Sequence, residues 1–158
     1  ALLQEKQMQV PDDAVAICAV NEKQDSGGVP IIRLVRPAIQ QGSEAAKLVC
    51  EVLEGRKVNP LTRVIVTPAS ARIYKKALRN GLIEIFMDAG CTVTGTGCGA
   101  CIGRHGGILA PGERALTTMN RNFVGRMGSP LSEIYLASPA TAAATALTGR
   151  ITDPRSIL

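Results

Sequence analysis

Cys98-Gly99-Ala100-Cys101 places two thiols three positions apart, a spacing at which one turn of backbone can direct both sulfurs at a single metal ion or cluster. Thioredoxin-like redox pairs use the same spacing, but they want the first cysteine exposed at a helix N-terminus, where the dipole lowers its pKa. Gly97, Gly99, Gly103, Gly106 and Gly107 surround the pair and disfavour a helix directly after it. On the motif alone, ligation, redox chemistry and plain packing of small apolar thiols all stay open. Two thiolates complete neither a zinc tetrahedron nor a four-thiolate cluster, so further donors are needed. His105, the only histidine, follows closely and is either a third donor or a loop imidazole facing water. Cys91 is either a fourth donor or a buried core thiol.

A second segment carries chemistry of another kind. Thr117 to Gly128 holds Arg121 and Arg126, Asn120 and Asn122, and Gly125 and Gly128, without helical or strand periodicity. Guanidinium groups hold carboxylates in bidentate, charge-assisted pairs, and an amide such as that of Asn120 can fix orientation. The segment reads as a clamp for a small polyanion, or more plainly as a solvated turn with two surface arginines.

The elements that must position these loops follow an α/β grammar. Residues 1–42 are interrupted by Pro11, Pro30 and Pro37 and by a polar stretch from Asn21 to Gly28, leaving two apolar runs, Ala14–Val20 and Val29–Val35, as candidate strands. Ser43 is a plausible N-cap for a helix through Glu54 that Gly55 stops. Arg63–Thr67, closed by Pro68, reads as a buried strand. Ala69–Asn80 reads as a helix with Ile73, Ala77 and Leu78 on its inner face, and Leu82–Ala89 as a shorter one ended by Gly90. The stretch Cys91–Gly107 is too dense in glycine for a long regular element and suits a site loop. Glu133–Ala137 reads as a strand, Ser138-Pro139 as the start of a helix through Leu147 ended by Gly149, and Ile151–Pro154 as a closing turn. Strands alternating with helices predict a three-layer α/β/α domain with a mainly parallel sheet. We divide the chain into a divergent segment, 1–42, within the same domain, and the body, 43–158.

Bulk properties narrow the function classes. With 158 residues, 46% of them hydrophobic, the chain can bury one substantial core, and we expect one site. Two Phe, two Tyr and no Trp leave few platforms for stacking bases, and the net charge of +5 is not concentrated in any uniformly basic block, so nucleic acid is a poor candidate partner. No apolar run approaches the roughly 20 residues that span a bilayer, and Ala1–Lys6 lacks the basic-then-apolar order of a secretory signal. Five unevenly spaced cysteines argue against a disulfide framework. The expectation is a soluble, cytoplasmic protein with reduced thiols and no membrane partner.

Taken in order, Gly97–Gly103, Pro111-Gly112-Glu113-Arg114, Asn120–Arg126 and Tyr135–Ala144 resemble the aconitase superfamily. Gly125–Pro130 and Gly149–Pro154 are most similar to its branch of 3-isopropylmalate dehydratase and homoaconitase large subunits, in their C-terminal part, and the likeness runs from Leu53 to Pro154. The resemblance implies an aconitase-type cluster-bearing domain, a 4Fe–4S cluster held by three cysteines, and isomerisation of a hydroxy di- or tricarboxylate by dehydration and rehydration, in the dehydratase case within leucine biosynthesis. It assigns Cys98 and Cys101 to the cluster, and Asn120, Arg121 and Arg126 to the loop that contacts cluster and substrate. It implies as partners a small, swivelling subunit and further large-subunit domains carrying the acid–base residues. One departure stands out: the family's first cluster cysteine, in a Gly-Ser-Cys-Thr-Asn motif, falls where this chain has Ala38 within Arg36-Pro37-Ala38-Ile39-Gln40. Cys50 is a conceivable substitute, although its neighbours Leu48, Val49 and Val52 suit a core thiol better.

Overall fold

The computed structural model describes residues 15–21, 48–104, 106–119 and 121–157. Val29–Val35, the start of the Ser43 helix, Ala38, His105 and Asn120 lie outside the described residues. The strands are β1 (Val15–Asn21), β2 (Thr62–Pro68), β3 (Thr92–Val93), β4 (Arg114–Thr117) and β5 (Glu133–Leu136). The helices are α1 (Ala71–Arg79), α2 (Leu82–Ala89) and α3 (Pro139–Thr148), preceded by a helical segment at 48–53 and followed by a 3₁₀ turn at Pro154–Ser156.

The five strands form one sheet in the order β3-β2-β1-β4-β5. The β2–β3 and β4–β5 pairs are parallel, as expected for crossover connections, but β1 runs antiparallel to both its neighbours, with Val15 opposite Pro68 and Cys18 opposite Thr117. The sheet is therefore mixed where a mainly parallel one is expected, and its one reversed strand comes from the segment 1–42. Because β2 and β4 both oppose β1, the four other strands point the same way. Their carboxyl ends, Pro68, Val93, Thr117 and Leu136, share one edge of the fold.

Alternation along β2 sorts the core. Val64 and Val66 meet the helices, together with Leu116 of β4, while Ile65 and Ala115 face the other way. On the first face lie Val49, Cys50, Val52 and Leu53, then Ile73 and Ala77 of α1, Leu82, Ile83 and Phe86 of α2, and Ala142, Ala143 and Ala146 of α3. Leu78 shares the helical spacing but is 56% exposed, because the face that meets the sheet is centred on Ile73 and Ala77. On the second face no helix packs among the described residues. Loops close it instead, with Ala100, Leu109, Met119 and Met127 packing on Ile65 and Ala115. The described part is thus a helix layer, a sheet and a loop layer.

Local chemistry explains the helix limits. Ser70 and Ser138 accept hydrogen bonds from the amides of Ile73 (3.3 Å) and Thr141 (3.2 Å), satisfying donors that a first turn leaves unpaired. Gly90 and Gly149 end α2 and α3 at φ 94° and 74°, where a Cβ is disfavoured. At Gly149 a Cβ would also lie 2.8 Å from the Asn59 side chain, whose Nδ2 donates to the Thr148 carbonyl (3.2 Å) at the frayed end of α3.

Candidate functional site

Both chemically interesting loops leave the sheet from the shared carboxyl edge, the Cys98 loop after β3 and the Arg126 loop after β4. Ligand sites of open α/β sheets form at this edge, because diverging loops open a crevice there. The two parent strands are separated by β2 and β1, so the cysteine loop must cross to reach the other. Gly97 N donates to Pro68 O (3.3 Å), anchoring the crossing to the end of β2. Gly99 then sits against Thr67: a Cβ there would stand 2.7 Å from Thr67 Oγ1, itself hydrogen-bonded to Thr94 Oγ1 at 2.8 Å. Only a residue without a side chain lets the backbone pass so close.

Past that point the chain turns sharply, with Cys101 N donating to Cys98 O and Gly103 N to Ala100 O, both at 3.3 Å. No helix follows the pair among the described residues. The dipole-assisted activation that a thioredoxin-like pair requires is therefore lacking, which removes the support for the redox reading. Cys98 is exposed and Cys101 half-buried against the loop-side core.

The arginine loop is laced to this turn. Leu109 N donates to Met127 O and Ser129 N to Leu109 O, both at 2.8 Å. Gly103 comes so close that a Cβ would lie 2.4 Å from the Met127 carbonyl carbon. The result brings Arg126 onto Cys101: Nη2 donates to Sγ at 3.2 Å. The guanidinium lies 5.1 Å from the centre of the Phe123 ring, a cation–π distance. Its Nε is buried with no hydrogen-bond partner among the described residues. Arg121 is exposed, and Asn122 Nδ2 donates to Ile134 O (2.9 Å), tying the loop to β5. Of the five residues expected in the site, the structure brings Cys98, Cys101 and Arg126 together, shows Arg121 exposed, and does not describe Asn120. Phe123 is a further residue of the site that residue type alone does not mark, although it is one of two phenylalanines and stands three positions before Arg126.

Cys50 and Cys91 do not join them. Both belong to the helix-side core, 0% and 7% exposed, and burial pushes each thiol up to about 12. A thiol kept protonated on the far side of the sheet cannot replace the ligand that Ala38 lacks, nor can Cys91 complete a zinc site with Cys98 and Cys101. Among the described residues no group of three or more His, Cys, Asp or Glu could hold a metal ion. Two sulfurs on one turn beside a guanidinium fit cluster ligation in kind, as two of three thiolates.

A profile of the aconitase family (aconitate hydratase) matches residues 38–149. The chain belongs to the aconitase family. The 3-isopropylmalate dehydratase large subunit of Caldicellulosiruptor saccharolyticus is 57% identical over 114 residues, 72% of this chain and 27% of that protein. The 3-isopropylmalate dehydratase large subunit 1 of Pyrococcus furiosus is 54% identical over 115 residues, 73% of this chain and 27% of the relative. The corresponding large subunit of Acetivibrio thermocellus is 53% identical over 129 residues, 81% and 31% of the two chains. The chain thus spans about a quarter to a third of the length of these curated relatives. A match of 129 residues in a chain of 158 necessarily enters the first 42, so the aconitase likeness extends N-terminal of Leu53, further than the motifs alone indicate. No helix among the described residues is long and apolar enough to cross a membrane.

Proposed function

We propose that this chain is the cluster-carrying module of a hydro-lyase resembling 3-isopropylmalate dehydratase, acting on a small hydroxy di- or tricarboxylate. The observation that carries the reading is the convergence of Cys98, Cys101 and Arg126 at the carboxyl edge of the sheet, with Arg126 donating to a sulfur of the pair. Cys98 and Cys101 would hold a 4Fe–4S cluster, which when bound supplies a Lewis acid toward the substrate hydroxyl. The chain's own contribution is to orient. Arg121, which is exposed, and Asn120 would offer donors to carboxylates, and Arg126 is held by the Phe123 ring and the Cys101 sulfur. The acid–base groups would come from the remaining large-subunit domains and a small swivelling subunit. The body 43–158 is the iron–sulfur domain in this reading, working in the cytoplasm on the route to leucine.

Anaerobic reconstitution with ferrous iron and sulfide tests it, with the chain alone and mixed with a small subunit and the remaining large-subunit domains. Broad visible absorbance and bound iron that depend on Cys98 and Cys101 are the expected result. Absence of iron in every mixture would sink the reading.

A second reading has its own support. Ala38 replaces the expected thiolate, and neither Cys50 nor Cys91 can take its place, so the domain could keep the fold as a binding or assembly module without a cluster. That version predicts a colourless protein whose melting temperature ignores chelators, and an iron-dependent melting temperature contradicts it.

A further inference from the structure

Helices α1 and α2 carry one pattern of exposure with opposite charge. Lys75-Lys76-Ala77-Leu78-Arg79 buries Ala77, half-buries Lys76 and exposes Lys75, Leu78 and Arg79. Glu84-Ile85-Phe86-Met87-Asp88 buries Phe86, half-buries Ile85 and exposes Glu84, Met87 and Asp88. Each outward face is therefore an apolar side chain, Leu78 at 56% or Met87 at 63% exposure, beside two like charges one helical turn apart. Helix α1 holds no acidic residue and α2 no basic one. Like charges at that spacing repel along a helix, and an acidic residue in the last turn, such as Asp88, also opposes the helix dipole. Among the described residues none of Lys75, Arg79, Glu84 and Asp88 makes an ion pair, and Lys57 reaches the carbonyl of Asp88, not its carboxylate.

The two faces adjoin. The turn at Asn80-Gly81 joins α1 to α2, the helices pack on each other, and their inner sides, Ile73 and Ala77, then Leu82, Ile83 and Phe86, enter one core. Complementary patches side by side on one surface are what a two-fold axis needs, since a single rotation sets α1 of each copy on α2 of the other. We propose that this surface joins two copies of the chain: Leu78 packs on Met87 of the second copy, and Lys75 and Arg79 meet its Glu84 and Asp88, each contact made twice. The contact lies across the sheet from Cys98 and Cys101 and does not depend on what those thiols hold. Helices of nine and eight residues make a small, charge-rimmed interface, so the association is reversible and sensitive to salt.

Sedimentation velocity of the full chain tests this, with reductant present so that the exposed Cys98 does not cross-link copies. Over about 10–1,000 µM, the range that suits a small interface, the average mass should climb from one chain toward two. Raising salt from about 0.05 M to about 0.5 M should weaken the association about tenfold. Two charge reversals separate this surface from any other. Lys75→Glu with Arg79→Glu leaves acidic faces on both helices, and Glu84→Lys with Asp88→Lys leaves basic faces on both, so each variant alone should stay monomeric. Mixed in equal amounts, the two present opposite charges at both contacts and should dimerise as the parent does. All four positions are exposed, and an unchanged far-ultraviolet circular dichroism spectrum verifies that each variant is folded. A neutral change, Met87→Ser, should by itself weaken the association about tenfold. A parent chain that stays monomeric at the highest concentration overturns the proposal. So does self-association of either reversed variant at the parent's strength, a mixture of folded variants that fails to dimerise, or an association that Met87→Ser leaves unmoved.

Discussion

Cys50 and Cys91 lie buried on the helical face of the sheet, Cys98 and Cys101 in the loops that close the other face, and of these four Cys98 is exposed and Cys101 half-buried. On the helical face, burial among Val49, Val52, Leu53, Phe86 and Ala89 strips solvent from the thiols and holds them protonated. On the loop face, glycines bring backbone over backbone, exposing Cys98 and placing a guanidinium on Cys101. The lesson is that one sheet separates a helix-packed core side from a loop-covered side, and that the face a cysteine occupies sets whether its thiol is buried or accessible.

The most damaging change should strike the helical face. Phe86→Ala empties a site that is 2% exposed and should cost about 3–5 kcal/mol in urea unfolding, with the environment of Cys98 unaltered until the fold gives way. Gly103→Ala attacks the other side. At φ 63°, with a Cβ directed into the Met127 backbone, it should cost at least about 1–3 kcal/mol and separate the two loops, seen as faster alkylation of Cys101 in the native protein. A matched pair sharpens the contrast: Cys50→Ser buries a hydroxyl in an apolar core and should cost about 1–3 kcal/mol. Cys98→Ser, at an exposed position, should stay within about 0.5 kcal/mol. Equal losses from the two substitutions would contradict the division into faces.

The smallest effect is on pH dependence. Cys50 and Cys91 are raised from the ordinary 9.0 to about 12, so above 9.0 the unfolded chain releases protons that the folded chain keeps. Their contribution is complete below 9.0 and falls as pH climbs toward 12. Urea midpoints followed through that window should decline less steeply in a Cys50→Ala, Cys91→Ala double variant.

How legible this was in sequence depends on whether the deciding contacts are local. Ser138-Pro139 and Gly149 fix α3 by capping and backbone preference, and the helix appears where those residues place it. Strand β4 is not legible in sequence, since Arg114-Ala115-Leu116-Thr117 has too few residues to show a period and becomes a strand through its pairing with β1 and β5. The reversed direction of β1 is likewise a matter of partners distant in sequence. In the site, the types and spacing of Cys98, Cys101 and Arg126 announce ligand chemistry, whereas the contact between Arg126 and Cys101 depends on Gly103 and Gly128 permitting two loops to interlock. The neighbours Leu48, Val49 and Val52 already suit a core thiol at Cys50, and the packing of its helical segment on the sheet puts it there.

Iron counting after anaerobic reconstitution, with the parent chain set beside two double variants in the presence of the remaining subunit parts, tests the central claim most directly. The account predicts that Cys50→Ala with Cys91→Ala keeps the parent's iron, and that Cys98→Ser with Cys101→Ser loses it. Iron retained without Cys98 and Cys101, or lost without Cys50 and Cys91, would contradict it.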